Sequence, residues 1–135
     1  RNRPKYVVER LTETLNERGK SLKGSKILVL GVAYKKDIGD VRNSPALAII
    51  DVLLKGGADV VYNDPHVEEI ELEGGDGLES AELDSDLLES SDCTLIVTDH
   101  SDYKYEWIVD RSDLVLDTRN VTAGLGLKEG KVVRL

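Results

Sequence analysis

Lys26-Ile27-Leu28-Val29-Leu30-Gly31 decides how the rest of this 135-residue chain is read. Four consecutive large apolar residues leave no polar face, so a strand built from them must be buried on both sides, as in the middle of a parallel sheet. Gly31 ends the run, and a polar loop follows over 32–43. Ser44-Pro45 then offers an N-cap and a proline at the first helical position. Ala46, Ile49, Ile50, Leu53 and Leu54 recur at helical spacing, with Leu47 and Val52 widening the stripe, until Gly56-Gly57 closes the helix. Residues 58–63 read as the next strand, which completes a βαβ unit.

Outward from that unit, strand and helix keep alternating. Upstream, Val7, Val8, Leu11 and Leu15 mark an amphipathic helix over 6–18, with Pro4 ahead and Gly19 behind. Downstream come a short helix at 85–90, a buried strand at 93–98, a helix at 105–109, a strand at 114–117 and an edge strand at 131–135. The expected fold is α/β: a Rossmann-like, open, doubly wound parallel sheet of about five strands in a three-layer αβα arrangement. The stretch from Asp64 to Asp92 carries twelve Asp or Glu and no Lys or Arg. It reads as a solvated, loop-rich insertion. Its acids do not follow the spacing of an EF-hand calcium loop, and no metal site is expected.

The whole chain has 26 acidic and 18 basic residues, a formal net charge of −8. That balance argues against nucleic acid as a partner, since such affinity rests on neutralising phosphates. A single cysteine, Cys93, excludes an intrachain disulfide, and no run approaches the roughly 18 apolar residues of a membrane span. The expectation is a cytoplasmic chain of one ordinary domain, with no membrane partner. There is no methionine, and the chain opens on Arg1-Asn2-Arg3-Pro4 without a charged-then-apolar leader. We read this as a piece of a longer protein.

In open α/β sheets the ligand sits beyond the carboxyl ends of the strands. The loops to inspect therefore begin at Gly31, Asn63, Thr98 and Asp117, and three of their cations are expected to face one crevice: Lys35, Arg42 and Arg119. A dinucleotide fingerprint would need G-x-G-x-x-G, of which only Gly31 fits, so phosphate recognition would fall to side-chain cations and the amino end of the Pro45 helix. Residue types alone leave two readings open: anion binding, or cations paired with Asp37, Asp40 and Asp117. Cys93 opens an apolar strand and reads as a buried structural thiol. His100 is a lone histidine with no partner visible in sequence. Asn63-Asp64-Pro65 reads as a turn in preference to a ribose acceptor.

Lys26 to Ala46 resembles the signature of the C-terminal domain of UDP-glucose/GDP-mannose dehydrogenases. The likeness continues through Gly57-Ala58-Asp59-Val60, Tyr62-Asn63-Asp64-Pro65, Val97-Thr98-Asp99-His100 and Asp117-Thr118-Arg119-Asn120. It implies a linker helix from a central domain at 1–22 and a UDP-sugar-binding domain at 23–135. It implies further that NAD is held mainly by an absent N-terminal domain, and that the parent enzyme is a homo-oligomer through its central region. The reaction implied is NAD-dependent oxidation of the sugar C6 alcohol to a carboxylate, through a thioester on an upstream cysteine that is not Cys93. The resemblance makes Lys35 the ligand of the pyrophosphate, Arg119 a second contact to UDP and Arg42 the residue facing NAD, supported by Gly31 and Asp40. Val32-Ala33-Tyr34 and Val97-Thr98-Asp99-His100 lean toward the UDP-N-acetylhexosamine branch. The fragment alone is expected to be inactive. The alternative is a stand-alone nucleotide-binding or receiver-like module; a receiver would need acids at the end of the first strand, where this chain has Gly31 and then cations.

Overall fold

The computed structural model describes residues 3–125 and 130–135. In chain order the elements are α1 (Arg3–Glu17), β1 (Lys26–Leu30), α2 (Pro45–Lys55), β2 (Asp59–Asn63), β3 (Glu69–Glu71), β4 (Gly77–Glu79), α3 (Ser85–Ser90), β5 (Cys93–Ile96), α4 (Tyr105–Arg111), β6 (Val115–Asp117) and β7 (Val132–Arg134). The apolar run of β1 is buried on both faces, as its composition requires. Ile27 and Val29 join one core with Leu11 and Leu15 of α1 and Ile49, Ile50 and Leu53 of α2. Leu28 and Leu30 join the other with Leu88 of α3 and Ile108 and Val109 of α4. Each such leucine or isoleucine contributes roughly 1.5–3 kcal/mol through burial, which is why two thin helical layers suffice to hold the sheet.

Five strands form one parallel sheet in the order β2-β1-β5-β6-β7. Counted along that sheet, the second strand lies outside the first and the rest run away on the other side. The winding reverses between β1 and β5, and a crevice opens at that switch point beyond the carboxyl ends. The expected alternation is therefore observed, with α1 beginning at Arg3 and α4 extending to Arg111. Residues 1 and 2 of the 1–22 segment lie outside the described residues. Ser44 caps α2 as expected, its hydroxyl accepting the Ala46 N–H at 3.2 Å.

The acidic segment differs from its reading as a loop-rich insertion. β3 and β4 pair as an antiparallel hairpin whose Ile70, with Val67 and Leu72 beside it, is buried in the main core. Glu69-Ile70-Glu71-Leu72-Glu73 alternates with the period of a strand, so the charges face solvent while the apolar residues turn inward. At the opposite, amino end of the sheet, Asp92 takes the Lys26 N–H at 2.7 Å and the Lys20 ammonium at 2.9 Å. Among the described residues no helix is long and apolar enough to cross a membrane.

Candidate functional site

The loop leaving β1 is fixed first by Gly31. Its φ is +87°, and a Cβ there would sit 2.6 Å from the Thr98 carbonyl oxygen, so only glycine lets the ends of β1 and β5 approach so closely. Thr98 closes the contact by donating its hydroxyl to the Ala33 carbonyl at 2.7 Å. Gly39, farther along, has the same function against the loop after β2, since a Cβ there would lie 2.6 Å from the His66 carbonyl oxygen.

Beneath this loop lies a buried carboxylate. Asp64, at the end of β2, accepts the backbone N–H groups of Val32 at 2.8 Å and Ala33 at 3.1 Å on Oδ2. The same oxygen bonds His100 Nε2 at 2.9 Å, and Oδ1 takes the His66 N–H at 2.8 Å. His100, from the loop after β5, accepts the Asp37 N–H on Nδ1 at 2.8 Å. A backbone N–H has only a proton to offer, so Nδ1 carries the lone pair and the neutral ring carries its proton on Nε2, facing Asp64. Both side chains are 0% exposed. Asp37, with φ +63°, completes the closure by accepting the Ser101 N–H and hydroxyl, each at 2.7 Å. Those two donors, the backbone N–H foremost, hold the Asp37 carboxyl below the usual carboxylate range.

The three cations stand on this framework in different states. Lys35 is exposed, its Nζ 5.7 Å from the Tyr34 ring, and no carboxylate lies within ion-pair distance of it among the described residues. Arg42 is tied to Asp40 through Nε at 3.1 Å and Nη2 at 2.8 Å, with its side chain still 86% exposed. That guanidinium holds the Asp40 carboxyl at about 2. Arg119 is half-exposed, with Nε 3.5 Å from Asp99 Oδ1, so its partner comes from the β5 loop. Asp117 binds within its own turn and pairs with no cation side chain among the described residues: it is buried and accepts the Arg119 N–H at 2.9 Å together with the Thr122 N–H and hydroxyl. Of the two open readings, pairing describes the arginines, whereas Lys35 has no ion-pair partner among the described residues.

Sequence reasoning set aside two residues that organise the site. Asp64 does occupy a turn, but its main function is to join loops from three strands; His100 has a buried partner 36 residues away. Their signal was placement: both follow carboxyl ends of strands inside motifs that extend the family likeness. Asp37, His66 and His100 also lie within 4.8 Å of one another. Both ring nitrogens of His100 are already engaged, Nδ1 by the Asp37 N–H and Nε2 by Asp64. Cys93 is fully buried, and burial pushes its thiol up to about 12, which fits a structural residue and no nucleophile. A cavity of about 500 Å³ lined by Leu83, Asp102, Tyr103, Lys104 and Trp107 opens beside α4 and includes none of the three cations.

Residues 28–124 match the UDP-glucose/GDP-mannose dehydrogenase family, UDP binding domain. The chain is 34% identical over 116 residues to UDP-glucose 6-dehydrogenase AglM of Haloferax volcanii, covering 84% of this chain and 27% of that protein. It is 32% identical over 143 residues to UDP-N-acetyl-D-mannosamine dehydrogenase of Methanococcus maripaludis, covering 99% of this chain and 31% of that protein. Among solved structures, NDP-N-acetyl-D-galactosaminuronic acid dehydrogenase from Methanosarcina mazei superposes with a TM-score of 0.78 at 27% identity, over 98% of this chain and 28% of that one. The chain thus spans between a quarter and a third of each of these three proteins.

Proposed function

The chain belongs to the UDP-glucose/GDP-mannose dehydrogenase family, and we propose that it serves as the nucleotide-binding unit of an enzyme that oxidises the C6 alcohol of a UDP-sugar to a carboxylate with NAD. One observation carries the reading: the matched residues 28–124 are the family's UDP binding domain, and they enclose the loops that present Lys35, Arg42 and Arg119. Lys35, the cation without a carboxylate partner among the described residues, takes the pyrophosphate. Arg119 takes the UDP portion from the β6 side. Segment 1–22 serves as the linker from a central domain, through which the parent enzyme assembles as a homo-oligomer. The substrate is assigned to the UDP-N-acetylhexosamine branch, supported by Val32-Ala33-Tyr34, by Val97-Thr98-Asp99-His100 and by the likeness to two dehydrogenases of N-acetylated sugars.

This chain has no glycine-rich pyrophosphate loop. Its donor set fits NAD only at one edge, where the exposed guanidinium of Arg42, held by Asp40, can meet an anionic group. NAD, when bound, supplies hydride acceptance; the residues present here bind and orient. Lys35 meets phosphates that do not change in the reaction, so its contribution is equal in ground and transition states and belongs to affinity. The receiver-like alternative loses its basis, because β1 leads into Gly31 and Lys35 where paired carboxylates would be needed.

Calorimetric titration with UDP tests the reading. Lys35→Ala should weaken binding roughly ten- to a hundredfold, the loss of one charge-assisted hydrogen bond, and Arg42→Ala should leave it unchanged. Equal losses in both variants would sink the division of roles, and the absence of any heat with the unaltered chain would sink the nucleotide reading. No turnover of a UDP-sugar with NAD by this chain alone is expected.

A further inference from the structure

We propose that His100 and Asp64 are positioning residues that set the 31–37 loop, and with it Lys35, in the conformation that receives the nucleotide's phosphates; this rests on the nucleotide reading above. Among the described residues Lys35 has no carboxylate partner, and the ring its ammonium approaches, Tyr34 at 5.7 Å, belongs to the same loop, so its placement follows the backbone on either side. That backbone is anchored two residues away in each direction. Val32 and Ala33 donate to Asp64 Oδ2, and Asp37 donates to His100 Nδ1. The anchors are one unit, because His100 Nε2 bonds the same Asp64 oxygen at 2.9 Å in a fully buried contact.

The unit requires a neutral imidazole. A proton on Nδ1 would face the Asp37 N–H head on, and the nearest substitute acceptor, Asp37 Oδ1, lies 4.0 Å away and already takes the Ser101 N–H. The loop would have to move for the cation to be satisfied. The groups facing His100 are Asp64 from β2, Asp37 from the β1 loop, the His66 ring at 4.6 Å with Asp102 behind it, the Tyr103 ring at 5.9 Å and the Tyr105 hydroxyl on the His100 carbonyl. Of these side chains only His66 belongs to a type that ordinarily changes charge between about pH 5 and 8. A charged His100 ring would therefore release the loop and weaken UDP binding, an effect that His66→Gln should leave in place.

The test combines amide NMR with UDP titration of the 135-residue chain at several values between about pH 5 and 8. Without UDP, the Asp37 amide should be protected from exchange at the alkaline end and lose protection on acidification. With UDP, His100→Ala should weaken binding roughly three- to tenfold at the alkaline end, the worth of one neutral hydrogen bond. His100→Asn keeps an acceptor toward Asp37 but cannot titrate, so it should recover most of the affinity. Because UDP's terminal phosphate itself gains a proton near about pH 6, the decisive quantity is the difference in pH profile between the native chain and His100→Asn. Should His100→Ala fail to fold, that difference still decides. Identical profiles would overturn the proposal, as would an Asp37 amide that exchanges freely at every pH. A protected, pH-sensitive amide in a chain that binds no UDP would uphold the positioning and overturn the nucleotide reading.

Discussion

Two buried carboxylates, Asp64 and Asp117, lie at the carboxyl ends of β2 and β6, with β1 and β5 between them in the same sheet, each beneath a loop that carries a cation. Asp117 works locally: its acceptors hold donors two and five residues ahead, and the turn that presents Arg119 closes on itself. Asp64 works across the fold, holding Val32 and Ala33, which precede it by 32 and 31 residues, and His100, which follows it by 36. The difference teaches where each loop's order comes from. The Arg119 turn can form as soon as its own strand does, whereas the Lys35 loop is ordered only once β1, β2 and β5 are assembled.

The largest effect should come from removing the long-range hub. Asp64→Ala strands the Val32, Ala33 and His66 N–H groups and the His100 Nε2–H, several of them beyond the reach of water. An unsatisfied buried donor costs about 1–3 kcal/mol, and with partial relaxation we expect a loss on the order of 3 kcal/mol in urea unfolding, a large share of a domain's margin. UDP affinity should fall with it. A loss below about 1 kcal/mol would mean that the loop is held elsewhere and the contrast with Asp117 would collapse.

Asp117→Ala should cost less, about 1–2 kcal/mol, because its donors are close in sequence and the freed turn can open to solvent. It should weaken UDP binding through Arg119 while leaving the Asp37 amide protection unchanged. If that amide also lost protection, the two carboxylates would act as one network and the distinction between local and long-range order would be lost.

The same distinction explains what could be read in the sequence. The fold was legible because its signals are local: the unbroken apolar run of β1, the Ser44-Pro45 start of α2 and the glycines that close each loop. The cations were legible because a known rule places ligands at the carboxyl ends of strands, and the residues there can be counted. The hub was not legible. Asp64 and His100 are ordinary residues of a turn and a loop until the parallel sheet places β1 between β2 and β5, and no spacing in the chain encodes a bond over 36 residues. The β3–β4 hairpin was hidden for another reason: three-residue strands and twelve acids outweigh an alternation carried by only Ile70 and Leu72.

The smallest effect is expected at the other end of the sheet, where Asp92 is long-range like Asp64 but paired with a charge. Partial burial alone would raise its pKa, but the Lys26 N–H and the Lys20 ammonium together hold it below the ordinary carboxylate range. A carboxylate depressed in the folded state stabilises it at every pH above the unfolded value, and that contribution disappears as pH falls through the folded one. Asp92→Asn should therefore lower stability at about pH 7 and make no difference once the native group is protonated, so the two unfolding profiles should converge as pH falls through the depressed folded-state value. Its side chain is 30% exposed and Lys20 38%, so solvent screens the pair and the loss at neutral pH should stay under about 1 kcal/mol. Added salt should shrink it further, whereas the loss in Asp64→Ala, which arises from neutral donors sealed from water, should not respond to salt. If Asp92→Asn proved as costly as Asp64→Ala, or if salt reduced both alike, charge pairing would govern both ends of the sheet, and the burial of neutral donors would no longer account for the rigidity of the Lys35 loop.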